Sequence, residues 1–130
     1  MLFRNLIVGT VALAGSATMA HADLLAGGPL WGGASQKVAL CAVFNAGANS
    51  ARIVTFQIFQ APGSAPLPLQ STTCSAGAIL DPNASCVFTA AIRNDRFYSC
   101  RVRVDGSAMN WSGALSIGND QQVLSTTELR

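Results

Sequence analysis

Histidine is almost missing from this chain, and charge is scarce. One histidine, His21, stands among 130 residues, and charged side chains make up 11% of them. His21 lies inside an N-terminal segment that reads as an export signal, so the mature chain would carry no imidazole. That removes the general base of a Ser/His/Asp triad and the commonest transition-metal ligand. Lys37 is the sole lysine, and nothing in the pattern pairs it with a serine nucleophile. Long apolar runs are missing too: beyond the signal no segment reaches the roughly 18 apolar residues a membrane helix needs. Without Arg4 the mature chain keeps seven basic and six acidic residues, a net charge of +1. A field that weak draws neither nucleic acid nor acidic lipid. The Gly-Gly pairs at 27–28 and 32–33 match no phosphate-binding loop.

What is present begins with Met1 to Ala22. One positive charge, Arg4, leads into the apolar stretch Leu6 to Ala14, and Ala20-His21-Ala22 puts small side chains where a signal peptidase reads them. No cysteine stands at the cleavage point to carry a lipid anchor. Cleavage after Ala22 leaves 108 of the 130 residues, enough for one domain with one core. Hydrophobic residues reach 50%, which excludes disorder for most of it. The expected location is secreted or periplasmic, with no membrane span after cleavage.

Four cysteines survive the cleavage: Cys41, Cys74, Cys86 and Cys100. Their shortest gap is twelve residues, which fits no zinc-site spacing, and an even number in an exported chain reads as two disulfides. Paired cysteines offer neither a thiolate nucleophile nor a metal site. No cofactor and no metal are expected.

The dominant period is two. Residues 23–36 are glycine-rich and read as a leading arm, with 37–130 as the domain proper. Lys37 to Asn45 is apolar on both faces, as in a central strand; Arg52 to Gln60 alternates with Val54, Phe56 and Ile58 on one side. Three prolines in 61–70 mark a loop or edge. Ser85 to Ile92 places Cys86, Phe88, Ala90 and Ile92 on one face, and Tyr98, Cys100, Val102 and Val104 alternate against Ser99, Arg101, Arg103 and Asp105. Asp105-Gly106 signals a hairpin that would set Val102 opposite Met109 and Cys100 opposite Trp111. Gly118-Asn119-Asp120 turns into a last strand near Val123 to Thr127. No stretch of the mature chain shows a helical period. The pattern predicts an all-β antiparallel β-sandwich of six to seven strands with two disulfides.

Three cysteine pairings exist. If 85–92 and 97–104 form a hairpin with both apolar faces inward, Cys100 lies opposite Ala90, about 13 Å along the strand from Cys86, which disfavours 86–100. The favoured set is Cys74–Cys86 and Cys41–Cys100, contributing roughly 3 and roughly 4 kcal/mol by loop entropy.

Cys41 and Cys100, with Tyr98 two residues before the second cysteine and Phe56 fifteen after the first, resemble the immunoglobulin-type disulfide with its tyrosine corner, phenylalanine standing where that family has tryptophan. The whole chain also resembles small exported bacterial β-proteins of unassigned activity. The likeness lies in a Cys-x-x-x-Asn-x-Gly opening (Cys41 to Gly47) and a late Tyr-x-Cys-Arg-Val-x-Val strand (Tyr98 to Val104). This implies architecture and export, and carries over no catalytic or binding residue.

Three features could act. Arg93, Arg96, Arg101 and Arg103 fall within eleven residues and could bind an anion, although arginines on a solvated strand face also simply protect an edge. Trp31 could stack on a sugar or peptide; packing onto the sandwich is the expectation. Asp81, Asp95, Asp105 and Asp120 sit in turn contexts, where backbone hydrogen bonding explains them. The chain therefore reads as a non-catalytic binding or surface module. Its partner would be an anionic polymer or an envelope protein, with no nucleic acid expected. The alternative is a secreted inhibitor or toxin-like effector using the proline loop 61–70.

Overall fold

The computed structural model describes residues 22–33, 35–62, 65–93, 95–119 and 123–130. The expected signal therefore lies outside the described residues except for Ala22, and Asp120 lies outside them as well. Nine strands are found among the described residues: β1 (Ala22–Gly32), β2 (Val38–Asn45), β3 (Ala51–Ala61), β4 (Ser71–Thr72), β5 (Ile79–Leu80), β6 (Ser85–Ala91), β7 (Arg96–Asp105), β8 (Trp111–Gly118) and β9 (Val123–Glu128). They form two antiparallel sheets, ordered β1-β7-β3-β5 and β4-β6-β2-β8-β9. The molecule is a disulfide-linked β-sandwich. Seven strands are long, and the remaining two, β4 and β5, have two residues each.

The alternation in the sequence becomes the two faces of each sheet. Ala39, Cys41 and Val43 of β2, Phe88 and Ala90 of β6, Tyr98, Cys100, Val102 and Val104 of β7, and Leu115 and Ile117 of β8 are all fully buried between the sheets. Phe56 and Phe88 meet across the core with ring centroids 4.9 Å apart. On β2 the outward residues Val38, Leu40 and Phe44 are half-buried, as the two-sided apolar pattern implied. Tyr98 is completely buried, and its hydroxyl is satisfied twice: it donates to the Arg93 carbonyl at 2.7 Å and accepts from the Arg93 N–H at 2.6 Å.

Both disulfides pair as expected. Cys41–Cys100 joins β2 to β7 through the middle of the core, and Cys74–Cys86 ties the segment after β4 to β6. The hairpin used to disfavour 86–100 does not exist, however, because β6 and β7 lie in different sheets. What joins Cys41 to Cys100 is that both face inward from opposite layers.

Three further expectations are corrected. The glycine-rich 23–36 is no separate arm: most of it is β1, which pairs with β7 from Ala22↔Asp105 to Gly32↔Arg96. Leu25 and Leu30 give it an inward face, and pairing along β7 satisfies its backbone groups. On β3 a register shift between Ile53 and Thr55 makes Val54 a bulge, so the inward set is Ile53, Phe56 and Ile58. Finally, Asp105-Gly106 makes no two-residue hairpin. Cys100 pairs with Gly27 and Ile58, while Trp111 pairs with Asn45 in the other sheet. Of the two turn residues only Gly106 has positive φ (80°), whereas a type I′ turn needs both. The chain instead climbs from one layer to the other through a 3₁₀ turn, Ala108–Asn110, capped by Ser107 and pinned where the Asp23 carboxylate accepts from the Ala108 N–H at 2.8 Å.

Candidate functional site

β7 runs between β1 and β3, and its outward residues are Phe97, Ser99, Arg101 and Arg103. The registers place Trp31 beside Phe97 on one side, and Phe59, Gln57 and Thr55 beside Ser99, Arg101 and Arg103 on the other. Leu24 stands opposite Arg103. The outer surface of the four-stranded sheet thus carries a row of aromatic and polar side chains. Trp31, Phe97 and Leu24 keep 47%, 44% and 43% of their surface in solvent, Trp31 and Phe97 side by side and Leu24 at the far end of the row.

The side chains are organised among themselves. Trp31 and Phe97 meet edge to face with centroids 4.8 Å apart. The Arg101 guanidinium carbon lies over the Phe59 ring, 5.1 Å from its centroid, a cation–π contact that holds the guanidinium in one place. Neither Arg101 nor Arg103 has an ion-pair partner among the described residues. Asp105 continues the same side of β7 two residues beyond Arg103, at the end of the sheet, where it and the exposed Arg52 line one depression. No ion pair joins them among the described residues, and their formal charges sum to zero. The net charge of the face rests on Arg101 and Arg103.

The four-arginine cluster is therefore divided. Arg101 and Arg103 lie together on the face. Arg96 begins β7 in the inward parity and donates to the Asp95 carbonyl at 2.9 Å, and Arg93 sits in the connection between the sheets, where its backbone holds Tyr98. Trp31 also departs from expectation, because it faces solvent. β1 spends one residue more than β7 between Gly27↔Cys100 and Leu30↔Tyr98, with Gly28 at φ +107°. This bulge reverses the alternation, so Leu30 points inward and Trp31 outward. Sequence reasoning missed Phe97, Phe59 and Gln57. The parity of 97 with 101 was visible in the chain, but the β3–β7 register was not.

The other candidates organise structure. Asp81 accepts from the Ser50 hydroxyl at 2.8 Å, and Asp95 adopts a left-handed turn conformation with φ 61°. No group of three or more metal-ligating side chains occurs among the described residues. A depression of about 440 Å³ at one end of the sandwich is lined by Asn45, Arg52, Ile79, Asp105, Asn110 and Trp111 among others, with Asp105 its single carboxylate. Paired carboxylates for acid–base work are therefore missing from its described lining. In the proline loop, Leu67 donates to the Ile58 carbonyl at 2.8 Å, Gln70 to Thr89 at 2.7 Å, and Pro66 bridges Phe59, so its described residues lie against the sheet edges. No helix among the described residues is long and apolar enough to cross a membrane. No protein-family model, curated protein or solved structure matches the chain.

Proposed function

We propose that this chain is an exported, non-catalytic binding module, secreted or periplasmic after cleavage behind Ala22, whose partner meets the outer face of the four-stranded sheet. The observation that carries this is the face itself: exposed aromatic rings beside two guanidinium groups that have no carboxylate partner among the described residues. Export is supported by the signal-like N-terminus and by two disulfides, which persist in oxidising compartments. An immunoglobulin-like arrangement is part of the same proposal. It is supported by the sheet-to-sheet Cys41–Cys100 bridge and by the Tyr98 hydroxyl bonded back to Arg93.

The test is cosedimentation of the disulfide-intact mature protein with washed, insoluble envelope material. Wild type should pellet with it, and the double variant Trp31→Ala, Phe97→Ala should remain several-fold more in the supernatant while keeping its circular dichroism. A wild type that never pellets, or a variant that pellets equally, would remove this face from the function.

A further inference from the structure

We infer that the occupant of this face is an acidic polysaccharide, a chain of pyranose rings bearing spaced carboxylates and lying along β7; the inference rests on the binding-module reading above. From Phe97 to Arg103 the outward row extends about 20 Å at 3.4 Å per residue, room for several sugar rings in file. Its parts differ along that length. At one end Trp31 and Phe97 offer aromatic surface, which suits the C–H faces of a pyranose. At the other end Arg101 and Arg103 offer planar N–H forks, which suit carboxylates held bidentately. Phe59 holds the Arg101 guanidinium in place, so less freedom is lost when it binds. Between and beside these stand Ser99, Gln57 and Thr55, neutral groups able to donate to and accept from hydroxyls.

Charge decides among polymers. Single-stranded nucleic acid also stacks on aromatic side chains, but it carries a phosphate at every nucleotide and is held by grooves dense in cations. Here the face presents two uncompensated arginines, and the mature chain has seven basic against six acidic residues. A polymer with sparse charge and abundant hydroxyls fits better than one with dense charge.

The experiment is affinity electrophoresis of the disulfide-intact mature protein in gels containing hyaluronan (one carboxylate per two sugar rings), dextran or polyuridylate, over a series of salt concentrations. Retardation is expected in hyaluronan and not in dextran, with a log–log salt slope no steeper than about −2, one unit for each arginine. Arg101→Ser with Arg103→Ser should flatten that slope and weaken binding about tenfold or more at low salt. Trp31→Ala should weaken binding at every salt concentration without changing the slope. Equal retardation by dextran, tighter binding to polyuridylate, or a Trp31-dependent dimer in sedimentation velocity would each overturn the inference. If hyaluronan fails while envelope binding persists and still needs Trp31, the acidic-sugar assignment is wrong and the binding-face reading stands. If envelope binding is also lost, both fall.

Discussion

Asn45 has no solvent exposure, yet every polar atom of its side chain is used. Its amide donates to the carbonyls of Asn49 and Leu80, each at 2.9 Å, and its carbonyl oxygen accepts from the Gly47 N–H at 3.0 Å. Its backbone adds bonds to Ala84 and from Asn83. The Cys-x-x-x-Asn-x-Gly motif is thus a clasp holding the β2–β3 turn to the β5–β6 connection. Its glycine fits because a Cβ there would stand 3.1 Å from Asn110 and 3.3 Å from the Asn45 amide oxygen. Asn45→Ala would leave an N–H and two carbonyls without their partner, and should cost about 2–3 kcal/mol in a denaturant titration. Asn45→Asp, which sets an acceptor against two carbonyls, should cost at least as much at neutral pH. A loss below about 0.5 kcal/mol for both would mean that water replaces the clasp.

At the scale of an element, the β1 bulge does the most to shape the candidate site. With uninterrupted alternation from the buried Leu25, residue 31 would point into the core; the extra residue at Gly28-Pro29 turns the tryptophan out beside Phe97. Gly28 is required twice over. Its φ is +107°, and a Cβ there would lie 2.7 Å from the Tyr98 carbonyl oxygen. Gly28→Ala should therefore destabilise by about 1–3 kcal/mol, and it should move Trp31. Acrylamide quenching in a Trp111→Phe background would read this directly, since Trp31 then emits alone. Unchanged quenching together with an unchanged unfolding midpoint would show that the bulge does not place the ring. Gly106 makes a contrast: its φ is +80° but nothing lies within 4 Å of a Cβ added there, so its role is confined to the backbone.

For the molecule as a whole, the disulfides and the edges matter most. The edge strands β4 and β5 have two residues each, Pro66 bridges Phe59 at the border of β3, and reciprocal 2.9 Å bonds between Ala26 and Arg130 close the seam where β1 meets the C-terminus. Arg130 and Glu128 form an ion pair at 3.4 Å, too exposed to contribute much. Against a total stability of about 5–15 kcal/mol for a domain this size, the cross-links are large. The bridge with sequence separation 59 should contribute about 4 kcal/mol and the one with separation 12 about 3. Cys41→Ala with Cys100→Ala also empties volume at the centre of the core, because both residues are fully buried. It should lower the denaturation midpoint more than Cys74→Ala with Cys86→Ala does. The reverse order would show that loop closure and core volume do not set the ranking.

Composition and local period determined by themselves that the chain is all-β, that its cysteines are oxidised in pairs, and which residues of β6 and β7 face inward, whereas β2, apolar on both faces, was settled only by the structure. These follow from two-residue alternation and from cysteine number, which need no knowledge of neighbours. The sequence also put Arg101 and Arg103 on one face. It could not say what stands beside them, because strand pairing is a long-range choice: β7 lies between β1 and β3, some 40 to 80 residues earlier in the chain. The turn at Asp105-Gly106 misled for the same reason, since a local hairpin signal yields when each strand gains more by pairing elsewhere and burying its apolar face against the opposite sheet. Bulges were equally hidden, for one inserted residue reverses which side chains are buried and leaves no mark in the alternation beyond a glycine and a proline. Only the tertiary structure could bring Trp31, Phe59, Phe97 and the two arginines into one row, because β-sheet register, unlike β-period, is decided by the partner strand.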